Sequence, residues 1–460
     1  MADLIATSRV AAVVGLGASG LATARFLARE GKPFVLLDTR SKPPLLDAFL
    51  KEFPDITPEC GPLNSETLNS VAQIILSPGL AKNMPEIQAA EQAGVEVIGD
   101  IELFARHANA PIVAITGSNG KTTVTTLVGG MAKAAGLNVL VGGNIGTPAL
   151  DLLAEPTPNF YVLELSSFQL ETTQHLNAFA ATVLNVTKDH LDRYSSFMAY
   201  HRAKMRILFG AKNVVVNRQD LLTRGPISQD VNQISFGLNV PDLKDFGIIE
   251  HESERYLAKG LDALLPVAEV KLHGSHNLSN ALAAMALVDL MGGLNQAALS
   301  YLSNFTGIDH RCQWVAKKSG VTFFNDSKAT NVGATIAAVQ GLTNELADKN
   351  AVHLILGGQS KGGDFNELLP ALKSKVASVQ IYGEDAEIIH DTLVNANNDQ
   401  ARELQIEKVQ DLNSAVQSAF TFAKSGDYVL LSPACASFDM FSGYEERGRV
   451  FMSAVEAIAE

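Results

Sequence analysis

At 460 residues, with 47% apolar and 18% charged side chains, the chain is too long for one hydrophobic core and is expected to divide into about two to four domains. A formal charge of −13 argues against a general DNA or RNA binder, which needs a basic face to release counterions. It leaves phosphate ligands open, because a helix N-terminus and one or two local cations hold those. Met1-Ala2-Asp3-Leu4 has no basic segment leading into an apolar one, and the apolar runs are strand-sized, so neither a signal peptide nor a membrane partner is expected. Cys60, Cys312 and Cys435 lie far apart without a C-x-x-C pair, which fits reduced thiols in the cytoplasm better than disulfides or zinc.

In chain order, a β-branched run at 9–14 leads into Gly15-Leu16-Gly17-Ala18-Ser19-Gly20, a helix at 21–29 stopped by Gly31, and a strand at 34–37 closing on Asp38. This is the spacing of a dinucleotide-binding turn. Its glycines let the backbone approach a pyrophosphate, and its acid accepts from a ribose hydroxyl. A tight turn with no ligand is the plain alternative.

The next strand, 111–115, runs into Thr116-Gly117-Ser118-Asn119-Gly120-Lys121-Thr122-Thr123 and a helix that Gly136 ends. Backbone N–H groups there can cradle phosphates, Lys121 can neutralise their oxygens and the Thr122 hydroxyl can bind Mg²⁺. The strict G-x-x-x-x-G-K-[ST] pattern fails at one position, where Ile115 replaces the first glycine.

Glu164 closes the strand after 160–163, where an acid is costly to bury unless paired or metal-bound. The following strand, 181–184, leads to Asp189-His190. A lone histidine there would read as a hydrogen-bonded loop residue. Beside Glu164 and the glycine loop, at successive strand ends of one parallel sheet, it reads as part of the same crevice. The stretch 227–269 is given no chemistry. Asn277 and Asn280 share one face of a helix opened by Gly274-Ser275-His276, with Asn277 also a candidate cap.

In the last part, Asn325-Asp326-Ser327-Lys328-Ala329-Thr330-Asn331, the run 357–364 and the run 432–437 each follow an apolar strand, the positions that form a crevice in an open α/β sheet. Cys435 reads as a packed small residue. Alternating strands and helices imply parallel sheets throughout, with boundaries near 99 and 306.

Together these strings resemble the Mur ligases: G-x-x-G-K-[ST], Glu, D-H-x-D, H-N-x-x-N, H-R and D-S-[KY]-A-[TH]-N, in that order along nearly the whole chain. Residues 116–121, 164–169, 325–330 and 432–439 are similar to the branch that adds D-glutamate. The D-N-P-R signature of the diaminopimelate/lysine branch and the G-x-H-G-K-T loop of the L-alanine branch are absent.

The resemblance implies an α/β protein of three domains, read as 1–99, 100–306 and 307–460. The first is Rossmann-like and takes the UDP end of the substrate at Ser19, Asp38, Thr39 and Gly79, with Asn144 on the muramoyl part. The second is P-loop-like with a parallel sheet and holds ATP through Gly117, Ser118, Asn119, Gly120, Lys121, Thr122, Thr123, Asn277 and Asn280, joined by Arg311 and Asp326. The third is Rossmann-like and holds D-glutamate at Thr330, Lys361, Ser437 and Tyr444.

Two Mg²⁺ ions are implied, one on Thr122 and Glu164, one on His190 and a carbamylated Lys204; Lys121, Glu164, His190 and Lys204 form the implied catalytic set. The implied reaction joins D-glutamate to UDP-N-acetylmuramoyl-L-alanine through an acyl-phosphate, with ADP and phosphate released, in a monomer acting on small molecules. An NAD-dependent oxidoreductase would explain only the first glycine loop, and a non-catalytic nucleotide switch only the second.

Overall fold

The computed structural model describes residues 10–458 except 191–192, 226, 229, 273, 345, 374 and 398–403. Residues 1–4, Arg9 and Asp192 of the D-H-x-D string therefore lie outside the described residues. The chain builds three sheets in succession.

The first sheet holds β1 (Ala11–Val14), β2 (Phe34–Asp38), β3 (Glu59–Cys60), β4 (Gln73–Leu76) and β5 (Glu96–Gly99), all parallel, in the order β3-β2-β1-β4-β5. The order reverses between β1 and β4, which opens a crevice at their carboxyl ends. The 15–20 turn and the turn after β4 flank it, tied by the Ser77 hydroxyl donating to the Gly15 carbonyl at 2.8 Å. Gly20 is dictated by contact: a Cβ there would lie 1.8 Å from that same carbonyl oxygen.

The second sheet has nine strands: β6 (Ile112–Thr116), β7 (Val139–Gly143), β8 (Phe160–Glu164), β9 (Ala180–Val183), β10 (Asn213–Asn217), β11 (Asn232–Phe236), β12 (Phe246–His251), β13 (Glu254–Lys259) and β14 (Asp262–Pro266). Their order is β14-β13-β12-β11-β10-β9-β6-β8-β7. β7 through β12 run parallel as expected. β13 and β14 add an antiparallel meander, so this sheet is mixed. The meander occupies the stretch that sequence left unread. The helices Lys121–Ala134 and Ser275–Leu290 pack together on one face; the second is apolar nearly all round, as a helix buried on every side must be.

The third sheet, β15 (Gln313–Lys318), β16 (Val321–Asn325), β17 (Val352–Gly357), β18 (Val376–Tyr382), β19 (Gln405–Lys408) and β20 (Tyr428–Leu431), runs β15-β16-β20-β17-β18-β19. Only β15 is antiparallel to its neighbour. Three of its strand-end loops meet on one buried side chain. Arg447, from the helix Tyr444–Glu456, donates to the Ser327 hydroxyl and carbonyl (3.0 and 2.7 Å), the Cys435 carbonyl (3.1 Å), the Ala436 carbonyl (3.3 Å) and the Gly357 carbonyl (3.4 Å). Among the described residues no helix is long and apolar enough to cross a membrane.

The first and second units share one apolar core, in which Phe26, Phe104 and Tyr161 all take part and the rings of Phe104 and Tyr161 meet edge to face at 5.0 Å. Beside it, the buried Glu102 carboxylate accepts from the Gln174 and His175 N–H groups, His175 Nδ1 and Arg106 Nε at 2.7–2.9 Å. Burial pushes its pKa up, but these donors outweigh burial and hold it at about 2.

Glu102→Gln is therefore expected to cost roughly 2–4 kcal/mol near neutral pH. The folded carboxyl titrates below its ordinary 4.5, so its contribution is complete above that pH and disappears as pH falls towards 2. Urea denaturation of wild type and variant across that window should show the gap closing. A gap unchanged down to pH 2 would contradict the assignment.

Candidate active site

The loop between β6 and the helix Lys121–Ala134 is fixed from both sides. Gly120 has φ +81, and a Cβ would also meet the Asn280 amide at 2.5 Å, so only glycine fits. Asn185, at the end of the neighbouring β9, clamps the loop: its Oδ1 accepts from the Asn119 N–H at 2.8 Å and its Nδ2 donates to the Asn119 carbonyl at 3.0 Å. The Ser118 hydroxyl bonds the Tyr200 phenol at 2.8 Å. The result is a rigid turn whose free N–H groups open a helix, a ready anion site.

Two lysines reach this turn. Lys121 Nζ donates to the Gly117 and Ser118 carbonyls at 2.8 and 2.9 Å. Lys204 Nζ, buried above the Tyr200 ring at 4.7 Å, donates to the same Gly117 carbonyl at 2.8 Å. Burial lowers the pKa of Lys121, against the pull of Glu164 and Asp189. Lys204 is depressed further, first by burial and then by the charge of Lys121.

β8 and β9 flank β6 directly, which sets Glu164 and His190 on either side of the loop. Glu164 Oε1 accepts from Asn144 Nδ2 at 2.8 Å, while Oε2 is buried with no hydrogen-bond partner among the described residues. His190 takes φ +54, an uncommon left-handed backbone of the kind that marks functional turns, and its ring meets Phe168 edge-on at 4.8 Å.

From the third unit, Arg311 Nη2 donates to the Thr122 hydroxyl at 2.6 Å, Asn331 Nδ2 to Asp189 at 3.2 Å, and Lys188 pairs with Glu367 at 2.6 Å. Between these units lies a cavity of about 710 Å³, within the range of small-molecule sites. It gathers Ser118, Asn119, Gly120, Lys121, Thr122, Asn144, Glu164, His190, Arg311, Thr330, Lys361 and Tyr444. An adjoining cavity of about 220 Å³ takes in Thr123, Asn277, Asn280 and Asp326. Burial raises Asp326 to about 7, with the Ser432 hydroxyl and the Cys312 N–H opposing it.

Three family models match the chain: Mur ligase MurD-like, N-terminal domain over 9–99, Mur ligase middle domain over 115–288, and Mur ligase, glutamate ligase domain over 310–435. A UDP-N-acetylmuramoylalanine–D-glutamate ligase of Pseudomonas aeruginosa is 51% identical over 457 residues, covering 99% of this chain and 100% of that one. The chain belongs to the Mur ligase family. Two solved Mur ligases share its fold at low identity: MurF of Thermotoga maritima in complex with ADP (17% identity, TM-score 0.61, all of both chains) and UDP-N-acetylmuramate-alanine ligase MurC of the same organism (20%, TM-score 0.58, 98% and 99%).

Other residues singled out in this Mur ligase sit apart from the cavity. Ser19, Asp38, Thr39 and Gly79 lie on the first sheet's own crevice. There the Asp38 carboxylate is already engaged: it accepts from the Leu16 N–H at 2.6 Å and from Arg40 N, Nε and Nη2 at 2.7–2.8 Å. In the ligand-free structure it fixes the turn and Arg40. Gly117, Lys204 and Ser437 do not line the cavity; Ser437 is buried, its carbonyl accepting from Met440 and Phe441. Asn277 is not the cap of its helix, since Gly274 holds that position, but its Oδ1 accepts from Asn280 Nδ2 at 3.2 Å on the shared face.

Lys328, which the sequence reading quoted without a role, lines both cavities. Its ammonium stands 3.8 Å from the centre of the Tyr444 ring, and burial, followed by Arg311, lowers its pKa to about 8. Its signal was its place beside Asp326 in the D-S-K-A-T-N string.

Removing the cation aimed at the loop is expected to be severe. Lys121→Ala should lower turnover by about 10²-fold or more while circular dichroism stays unchanged. Turnover near wild type would show that Lys121 does not face the reacting group.

Proposed function

We propose that this Mur ligase joins the amine of D-glutamate to the carboxylate of UDP-N-acetylmuramoyl-L-alanine at the expense of ATP, a step of peptidoglycan precursor synthesis. Full-length identity to relatives of that name supports the reading. The geometric observation that carries it is that one cavity joins residues 118–122 of the glycine loop, Asn144 and Glu164 to Thr330, Lys361 and Tyr444.

In this proposal residues 1–99 hold the uridine end through the 15–20 turn and Gly79. Residues 100–306 hold ATP through the 117–123 loop, Asn277 and Asn280, with Arg311 and Asp326 closing from 307–460, which also binds D-glutamate. The acceptor carboxylate attacks the γ-phosphorus as the bond to ADP breaks, and Lys121 and Arg311 offset the charge on the phosphoryl oxygens. The D-glutamate amine then attacks the acyl carbon, phosphate leaves and the amine loses a proton. Contacts such as Arg311 to Thr122 close the cavity against water, which would otherwise hydrolyse the acyl-phosphate.

Among the described residues no three His, Cys, Asp or Glu side chains form a metal cluster. The unpartnered Glu164 oxygen and the Thr122 hydroxyl still suit one Mg²⁺ whose remaining ligands come from phosphates. When bound, Mg²⁺ supplies further charge neutralisation.

Lys204 as an ammonium does not suit a second ion, because its protons point at the Gly117 carbonyl. Its depressed pKa favours the neutral amine, which adds to CO₂, forming an N–C bond and releasing a proton, to give a carbamate with oxygen donors. Lys204→Ala should then regain part of its activity with added short carboxylic acids, and CO₂ depletion should lower wild-type activity. Equal activity of depleted and control enzyme would remove the carbamate from the proposal.

A panel of amino acids with ATP and the UDP-muramoyl-alanine acceptor tests the function itself: phosphate release should require the acceptor and D-glutamate together. D-glutamate brings two carboxylates into a closed site, and Lys361 on the cavity wall is proposed to pair with one, near Ser437 on the adjoining loop. Lys361→Ala should raise the KM for D-glutamate by roughly 30-fold. The KM values for ATP and acceptor should move far less. Equal shifts in all three would remove Lys361 from the amino-acid site.

A further inference from the structure

The acceptor proposed above is long, with its uridine end on the first sheet and its carboxylate end in the central cavity. Its reach is fixed, so the spacing between those two places sets where the carboxylate falls relative to the 117–121 loop. Misplacement by about 1 Å is enough to cost substantial rate. A side chain that fixes this spacing from outside the cavity acts on the reaction without touching its atoms.

Arg193 stands at that junction. Its Nη2 donates to the Leu80 carbonyl at 2.8 Å and its Nη1 reaches the Gly79 carbonyl at 3.5 Å, both in the turn after β4. The guanidinium lies 4.6 Å from the centre of the Phe168 ring and 3.6 Å from Glu171. Phe168 packs edge-on against His190 at 4.8 Å, and the Arg193 and Tyr194 N–H groups both donate to the His190 carbonyl, at 3.0 and 3.1 Å.

On the other side, the Leu80 N–H donates to the Ser77 carbonyl, and the Ser77 hydroxyl to Gly15. A continuous set of contacts thus runs from the glycine turn of the first sheet to the His190 turn of the second. The planar guanidinium suits this place, since it forks onto carbonyls at its edge while stacking on an aromatic face, which an ammonium cannot do.

We infer that Arg193 is a positioning residue that couples the 77–80 turn to the His190 turn and thereby sets how far the UDP-linked acceptor reaches into the central cavity. This rests on the function proposed above. Charge-assisted bonds of this kind carry enough energy that Arg193→Ala should raise the KM for the acceptor roughly ten-fold or more. The KM values for ATP and D-glutamate should stay within about two-fold, because their sites lie across the cavity. Arg193→Lys should fall between wild type and Arg193→Ala.

A merely structural arginine would lower stability or shift all three substrates alike, so equal shifts in all three KM values, or none, overturn the inference. Hydrogen exchange on the ligand-free protein gives a readout that does not depend on the reaction. Protection should fall at 77–84 and 193–200 together in Arg193→Ala, and unchanged exchange at 77–84 overturns the coupling. If wild type fails to turn over the UDP-linked acceptor, the proposed function falls, and the exchange result alone decides for or against Arg193. If Arg193→Ala does not fold, Arg193→Lys is judged by the same KM split and the same exchange.

Discussion

Two lysine side chains converge on a single carbonyl oxygen, that of Gly117, and much of the surrounding structure answers that fact. Like charges withdrawn from water repel strongly, and burial makes each lysine hold its proton less tightly. Glu164 and Asp189 offset part of the excess, yet Arg311 and Lys328 add to it from the opposite side. Lys121 donates its protons to the Gly117 and Ser118 carbonyls and Arg311 donates to Thr122, so in the ligand-free chain the loop itself holds these cations in place.

The fold keeps these groups at the right range by treating its two junctions differently. The first and second units share an apolar core and the Glu102 network, so their relation is set by packing. The third unit has its own cores and meets the second through polar pairs such as Lys188 with Glu367 and Asn331 with Asp189. Polar junctions of that kind open and close at small cost, and relative motion is their default behaviour.

Much of this was legible in sequence because loops at strand ends carry strong local signals. The run 116–123, Glu164 at the close of an apolar strand and the 325–331 string announce themselves by breaking hydrophobic runs with residues that are costly to bury. What escaped reading depends on partners distant in the chain or on burial. That Asp38 also holds Arg40 and the Leu16 N–H was not legible, because the reach of Arg40 back onto it is not a pattern. Lys204 entered only through the resemblance and Lys328 had no role assigned, and packing alone reveals that both are shielded from water. The meander β12–β14 hid because burial along its strands runs in blocks and does not alternate: β12 is buried over its first three residues and exposed over its last two. Asn277 drew a capping role from its residue type, whereas the helix is capped three residues earlier by Gly274, which sequence could not rank above it.

Arg447 has a consequence for how the molecule is made. The three loops that it gathers come from residues 327, 357 and 435–436, yet the arginine belongs to a helix that starts only at Tyr444. During synthesis those loops emerge with their carbonyls unmatched, and they cannot settle until the helix has left the ribosome and swung back against the sheet. The third unit's side of the crevice is thus among the last parts of the molecule to form, so the nascent chain completes the glycine loops of the first two sheets well before it gains a finished partner wall.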